Sequence, residues 1–183
     1  MIPDMRCFAA IMPSEAIRER IATLQGELRR SQADVRWIGP GELHLTLRFF
    51  GDLDPETVPR LREAFSRIAQ AQPRFRLTYE GIGEFPRVVW VGGSADAQPL
   101  AAQIESAAKR EGLARDPYGF HAHLTIGRIR SGRGAKDLAA AISARRGYPI
   151  GDDSVTRFSL VQSTLTPEGP VYDTIESFTL AQA

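Results

Sequence analysis

The sequence predicts a mixed α/β protein in which helices and strands alternate along a single domain. The length of 183 residues is close to that of one ordinary domain. Segments with apolar residues at helical spacing alternate with short segments rich in β-branched and aromatic residues. One tetrapeptide from a strand-like segment recurs in the second half of the chain. We therefore expect one domain over residues 1–183, with approximate sequence halves 1–91 and 92–183.

The individual elements follow from their capping residues and their apolar period. Short apolar or alternating runs bounded by turn residues predict eight strands. These strands cover residues 6–12, 35–38, 43–50, 75–83, 88–91, 120–128, 155–163 and 172–180. Ser14 is the predicted N-cap of a first helix that ends at Arg30, and Asp54 is the predicted cap of a second helix that begins near Pro55. Two further helices are predicted over residues 99–111 and 134–145.

Charge and cysteine content exclude several classes of protein. Lysine and arginine number 23 and aspartate and glutamate 22, for a net charge of +1, which excludes a general polycation but not a local basic cleft. The one cysteine, Cys7, allows no internal disulfide and no cysteine-rich zinc site. The chain starts without a signal-peptide pattern and has no apolar run long enough for a membrane span. We expect a cytoplasmic protein.

An internal repeat provides the main functional signal. His44-Leu45-Thr46-Leu47 recurs as His123-Leu124-Thr125-Ile126, and the chain has only three histidines. Alternate residues of a strand share one face, so the apolar residues of each copy predict a core face. Histidine and threonine then lie together on the opposite face. If the halves are related by an approximate two-fold axis, the two His-x-Thr edges face one groove.

Two histidines and two threonines suit metal-independent phosphodiester hydrolysis. A neutral imidazole can take a proton from water while an imidazolium gives one to the leaving oxygen. Threonine hydroxyls can bind non-bridging phosphate oxygens, and an arginine can stabilise the charge. We expect no cofactor, because no metal-ligand cluster is evident. The residues alone do not decide which of His44 and His123 is the acid.

Four other residues are weaker candidates. Arg48 has the parity of His44 and Thr46 and is therefore predicted on the groove face, whereas Arg128 needs a bulge or strand end to reach it. Phe8 is a candidate for stacking on a base, although core packing is the more ordinary role. His121 forms His-x-His with His123, which leaves open a metal site.

The two motifs resemble those of the two-histidine phosphoesterase superfamily. LHLTLRFFG (residues 43–51) and HLTIGR (residues 123–128) carry its His-x-Thr-x signatures, and the chain is similar over nearly its full length to the RNA 2′,3′-cyclic phosphodiesterases, also called 2′-5′ RNA ligases. RCFAAIMP, VRWIGPGELHLTL, GEFPRVVWVG and STLTPEGPVY resemble further segments of that family in the same order. The family usually has proline before the second histidine, where this chain has Ala122.

The resemblance implies an α+β fold of two interleaved, pseudo-symmetric lobes. Each lobe has an antiparallel sheet with outer helices, and the active-site cleft lies between the lobes. It implies hydrolysis of RNA 2′,3′-cyclic phosphate ends to 2′-phosphomonoesters, with a weak 2′-5′ ligation as a second activity. It also implies that His44 donates a proton, that His123 accepts one, and that Thr46 and Thr125 bind the phosphate.

Two alternatives remain open from the sequence. The first is an RNA-end binding module without catalysis, and the second is a metal-dependent phosphoesterase that uses His121 and His123. The expected partner is RNA with a cyclic phosphate end or a small cyclic nucleotide. We expect no association with a membrane. The size and balanced charge are compatible with a monomer.

Overall fold

The fold is of the α+β class, as predicted. A computed structural model describes residues 5–167 and 169–182. The described residues contain four helices: α1 (Glu15–Leu28), α2 (Thr57–Ala71), α3 (Gln98–Arg110) and α4 (Ala135–Ser143). The strands are β1 (Met5–Ile11), β2 (Val35–Trp37), β3 (Leu45–Leu53), β4 (Phe75–Phe85), β5 (Val88–Gly93), β6 (His123–Ile129), β7 (Pro149–Val155), β8 (Arg157–Thr166) and β9 (Gly169–Thr179).

All nine strands belong to one antiparallel sheet. Eight of them follow the order β7-β4-β5-β6-β3-β1-β8-β9, and β2 pairs with β6. The centre of this order is the pairing of β3 with β6, in which Leu45 is opposite Leu124. We call β1, β3, β8 and β9 the first lobe and β4, β5, β6 and β7 the second lobe. The two predicted sheets are therefore continuous through one narrow junction.

The helices cover one face of this sheet. In the first lobe α3 packs on β3 and α2 on β9, whereas in the second lobe α1 packs on β7 and α4 on β4. The main core lies between helices and sheet and includes Ile21, Leu61, Phe65, Ile104 and Leu138. A small second cluster contains Phe8, Ala10 and Val161. Phe8 and Ala10 alternate with core residues along β1, so this cluster lies on the other face of the sheet. We call this other face the groove face.

Local signals explain most helix boundaries. The Ser14 hydroxyl accepts a hydrogen bond from the Ile17 amide at 3.4 Å and caps α1, as predicted. Asp54 lies in the turn before α2, where its carboxylate accepts from the Glu56 amide at 2.9 Å and its carbonyl from the Thr57 amide. The prediction that Asp54 caps α2 is therefore wrong, because Glu56 is the N-cap and the helix begins two residues later than predicted. None of the helices in residues 5–167 and 169–182 is long and apolar enough to cross a membrane.

Strand β7 was not predicted. Pro149, Gly151, Asp152 and Asp153 are residue types that are rare in strands. The strand exists because its backbone pairs with β4 from Phe75 to Glu80, and tertiary pairing overrides local preference. Val155 ends β7 and does not begin the next strand, so the predicted strand over 155–163 starts instead at Arg157.

Candidate active site

The junction of the two lobes brings the two histidine motifs together. His44 immediately precedes β3, and His123 is the first residue of β6. Leu45 and Leu124, the second residues of the motifs, are paired and completely buried. Leu47 and Ile126 are buried in the same core. The apolar half of the predicted alternation is confirmed, and the other half directs the histidines and threonines to the groove face.

Both imidazole rings are fixed by the same backbone contact. Nδ1 of His44 lies 2.7 Å from the carbonyl oxygen of Glu42, and Nδ1 of His123 lies 2.8 Å from that of His121. A carbonyl can only accept, so each Nδ1 carries the hydrogen and donates it. In a neutral ring, Nε2 is then the unprotonated nitrogen. Each histidine therefore offers Nε2 for proton transfer.

Aromatic side chains surround His44. Its ring centroid is 4.6 Å from that of Phe8 and 5.0 Å from that of Tyr172. Burial among these groups lowers the pKa of His44, because the charged ring loses hydration. The nearby charges of Arg128 and His123 lower this pKa further, against the Glu42 carbonyl, which raises it. Burial raises the pKa of Tyr172, so this phenol keeps its proton.

His123 has a more open environment. Its nearest aromatic neighbour, Phe85, meets it edge-on at 5.5 Å and is itself 42% exposed. Phe85 also lies against Trp90, with centroids 5.3 Å apart. The two motifs thus present rings with the same backbone anchor but different degrees of hydration.

Two cavities meet between the histidines. The His44 cavity, of about 310 Å³, is bordered by Arg6, Phe8, Thr46, Phe49, Arg128 and Tyr172 among others. The His123 cavity, of about 360 Å³, is bordered by Thr46, Phe85, Tyr118, Phe120, His121 and Thr125 among others. Thr46 borders both cavities, so the two cavities adjoin at this residue.

A bulge at the same motif position re-aims both strands. In β3, Ala10 pairs with Thr46 and Ala9 with Arg48, which leaves Leu47 as the extra residue. In β6, Trp90 pairs with Thr125 and Val89 with Gly127, which leaves Ile126 as the extra residue. The bulge in β6 turns Arg128 to the groove face, beside His44. This is the bulge that Arg128 needs in order to reach that face.

Because of the bulge in β3, Arg48 does not share the face of His44 and Thr46 that simple strand parity predicts, although it still borders the His123 cavity. Arg48 pairs with Ala9, a residue of the main core, and its side chain is only 4% exposed. Its guanidinium donates to the Glu105 carboxylate of α3 and, at 2.6 Å, to the Ala114 carbonyl. Arg48 borders the His123 cavity but is engaged by these protein acceptors, so it holds residue 114 against β3.

Phe49, which the sequence analysis overlooked, takes the position predicted for Arg48. The bulge places it opposite Phe8 on the groove face, where it is 41% exposed and lies under the Arg6 guanidinium at 4.9 Å from the ring centroid. Phe8 is buried and walls the His44 ring, so it is not an open stacking surface. Tyr172 was also missed as a site residue, although it ends STLTPEGPVY, a segment already singled out.

His121 contributes its backbone and not a ligand set. Its carbonyl anchors His123, and its side chain is exposed at the border of the His123 cavity. Among the residues that the structure describes, no group of three or more His, Cys, Asp or Glu side chains is placed to hold a metal ion. The metal-dependent alternative therefore has no ligand set within that part of the chain.

Comparisons with known proteins agree with this geometry. The model of the LigT-like phosphoesterase family matches the chain twice, over residues 11–90 and 91–172. A protein from Archaeoglobus fulgidus named RNA 2′,3′-cyclic phosphodiesterase is 34% identical over 95% of this chain and 99% of its own length. The crystal structure of Escherichia coli LigT without ligand is 30% identical and superposes with a TM-score of 0.81, over 98% of this chain and 99% of LigT. The crystal structure of LigT with 3′-AMP is 28% identical, with a TM-score of 0.79 over the same shares of the two chains.

Proposed function

The chain belongs to the LigT-like phosphoesterase family, and from this premise we propose that it hydrolyses RNA 2′,3′-cyclic phosphate ends to 2′-phosphomonoesters. The Archaeoglobus fulgidus relative carries the name of this activity and matches almost the whole chain. Escherichia coli LigT, a similar fold throughout, has been crystallised with a nucleoside monophosphate, 3′-AMP. Both facts favour a nucleotide phosphate as the group that lies between the two histidines.

In the proposed reaction His123 is the base and His44 the acid. Nε2 of His123 takes a proton from water, and the oxygen attacks phosphorus. The bond from phosphorus to O3′ breaks, and Nε2 of protonated His44 gives its proton to O3′. The product carries a 2′-phosphate and a free 3′-hydroxyl. The assignment of acid and base rests on the resemblance of the two motifs to those of the family.

The remaining groove residues stabilise the phosphate. The hydroxyls of Thr46 and Thr125 donate to the non-bridging oxygens, and Arg128 supplies a positive charge as negative charge develops there. Arg128 and His123 also lower the pKa of His44, after the larger effect of burial. An anionic phosphate between them offsets this repulsion, so binding of substrate favours the protonated His44 that the reaction requires.

One observation carries the proposal: two imidazoles with the same Nδ1 anchor flank a single threonine. The histidines are fixed by the Glu42 and His121 carbonyls, and Thr46 borders the cavity of each. Such a pair can hold one base and one acid within reach of one phosphorus atom.

The test is an oligonucleotide that ends in a 2′,3′-cyclic phosphate, incubated with the protein in EDTA. We expect complete conversion to a 2′-phosphate end, identified by ³¹P NMR and by resistance to a 3′-specific phosphatase. In His123→Asn the side-chain amide can still donate to the His121 carbonyl but cannot take a proton from water, so kcat should fall by about 10²- to 10⁴-fold. Formation of a 3′-phosphate, or dependence on added metal, would contradict the proposal.

The same experiment separates this function from the binding module. A module without catalysis would retain the oligonucleotide with full affinity and leave its cyclic end intact. The cytoplasmic location and the monomeric state stay predictions of the sequence analysis.

A further inference from the structure

The backbone carbonyl that anchors His44 belongs to a short turn between β2 and β3. This turn is a single 3₁₀ turn over Pro40–Glu42. The carbonyl oxygen of Glu42, its last residue, lies 2.7 Å from Nδ1 of His44 and accepts the hydrogen of that nitrogen. The orientation of the His44 ring therefore depends on how firmly Glu42 is held.

Every polar group of Glu42 has a partner. Its amide donates to the Gly39 carbonyl at 3.0 Å, and one oxygen of its carboxylate accepts from the Gly39 amide at 3.1 Å. The other carboxylate oxygen accepts from the Arg36 guanidinium at 2.8 Å. Hydrogen bonds to an ionised group are stronger than neutral ones. The carboxylate of Glu42 therefore closes the turn and also ties it to β2.

Arg36 connects the anchor of His44 to the strand of the second motif. It is the middle residue of β2, where it pairs with Arg128 of β6. Within the residues that the structure describes, β3 and β6 pair directly through one residue pair, Leu45 with Leu124. Because this direct connection is narrow, a second tie across the junction matters for the relative position of the two imidazoles.

The pairing of Arg36 with Arg128 also needs a counter-charge. Like charges directly opposite each other destabilise an antiparallel pair of strands. Glu42 neutralises Arg36, whereas Arg128 borders the His44 cavity. The Arg36 and Glu42 side chains are only 25% and 28% exposed, so solvent screens their ion pair less than one on an open surface.

We propose that Arg36 and Glu42 are positioning residues, which together hold the His44 ring with Nδ1–H on the Glu42 carbonyl and Nε2 toward the phosphate. This inference rests on the proposed function, which uses Nε2 of His44 for proton transfer. Both side chains act through the turn and not on the reacting atoms. The ring of His123 is anchored elsewhere, on the His121 carbonyl, so loss of the ion pair should affect His44 alone.

The experiment identifies by NMR which nitrogen of each neutral imidazole carries the hydrogen. The chain has only three histidines, so two-bond ¹H–¹⁵N spectra of the labelled protein without substrate are simple to assign. Wild-type His44 should be in the Nδ1–H form. Glu42→Ala and Arg36→Met should each let the Nε2–H form of His44 appear and leave His123 unchanged.

Glu42→Gln separates positioning from an effect of charge alone. Its amide oxygen can still accept from Gly39 and Arg36, although the negative charge is lost, so the wild-type form of His44 should be restored. In Glu42→Ala, kcat for adenosine 2′,3′-cyclic phosphate should fall about 10- to 100-fold, as expected for a misplaced catalytic group. KM should change little, because neither side chain of the pair contacts the substrate.

Glu27→Ala is the matched control. Glu27 forms an ion pair of similar exposure with Arg145, at 3.0 Å between α1 and α4, so its loss should leave both the spectrum and kcat unchanged.

Two outcomes overturn the inference. The first is a His44 ring that stays in the Nδ1–H form in both Glu42→Ala and Arg36→Met. The second is an equal change at His44 and His123, which would show a general loosening of the site. If Glu42→Ala does not fold, Arg36→Met still decides. The spectra need no substrate, so an unchanged spectrum in a protein that hydrolyses the cyclic nucleotide removes the inference alone, whereas wild-type protein without hydrolysis removes the proposed function.

Discussion

The strand after His44 and the strand that begins with His123 share one geometry up to their bulges and carry different side chains beyond them. Each imidazole donates Nδ1–H to the carbonyl two residues earlier, and each strand bulges at the fourth motif residue. After the bulge, β3 turns a phenylalanine to the groove and β6 turns an arginine there. The shared part builds the acid–base pair, and the divergent part makes its two sides unequal.

The surroundings of the His44 and His123 rings differ as well. Phe8 and Tyr172 pack closely against the His44 ring, whereas His123 meets the partly exposed ring of Phe85. Two groups of one chemical type can perform opposite proton transfers when their environments separate their titrations. The difference between the motifs is therefore what we expect from a site in which each histidine has one task.

The largest expected effect tests the different roles of His44 and His123 by removing each histidine and varying the leaving group. His44→Ala and His123→Ala should each lower kcat for adenosine 2′,3′-cyclic phosphate by about 10²- to 10⁴-fold, the usual range for general acid–base groups. An ester with p-nitrophenolate as the leaving group needs no acid, so with 3′-deoxyadenosine 2′-(p-nitrophenyl phosphate) the loss in His44→Ala should shrink to about tenfold or less. The loss in His123→Ala should persist. If the loss shrank in His123→Ala instead, His123 would be the acid and His44 the base.

A second test concerns the support of the bulge in β6. The Gln25 amide of α1 donates to the Ile126 carbonyl at 2.9 Å and to the Ile38 carbonyl at 2.8 Å, and so supports the bulge that aims Arg128. Gln25→Met keeps the size but leaves the buried Ile38 carbonyl unsatisfied, which should cost about 1–3 kcal/mol of unfolding free energy in urea. Gln103→Met is the control, because Gln103 bonds only the Gln72 side chain at 2.7 Å. Equal losses in both variants would show that Gln25 has no special support role.

The smallest expected effect is a shift in the pH profile of kcat/KM. The reaction needs one histidine neutral and the other charged, so the profile is bell-shaped, and the lowered pKa of His44 places the limb that it controls below the pH of an ordinary histidine. Tyr172→Ser admits water to the ring, raises the pKa of His44 and should move that limb to higher pH. Tyr172→Phe keeps the ring and should leave the limb in place. If neither limb moves in Tyr172→Ser, burial by Tyr172 does not control the titration of His44.

Sequence reasoning located the motif residues because their signal is local. The alternation of leucine with histidine and threonine depends only on strand geometry. The same pattern occurs twice in the chain, which made it a stronger indication of function. The bulge in β3 gave no comparable signal, since it arises from pairing with β1, and it places Phe49 instead of Arg48 on the face of Thr46. For β6 the need for a bulge was recognised, because Arg128 had the wrong parity without one.

The side chains that complete the site come from distant segments. Tyr172 reaches His44 from β9, and Phe85 reaches His123 from β4, so their proximity depends on strand order. Strand β7 was missed for a related reason, because its pairing with β4 is long-range and its residues disfavour a strand.

The order of strands also bears on how the protein is made. Strands β1 and β3 are synthesised early, yet β8 and β9, which complete their lobe, come from the last 27 residues of the chain. Strands β4 and β5 likewise wait for β6 and β7. The first lobe therefore cannot close before β8 and β9 have been synthesised, and the second cannot close before β7, so each lobe depends on pairing between strands that are far apart in the sequence. The active centre depends on the same kind of long-range contact, because the two histidine motifs meet where β3 pairs with β6.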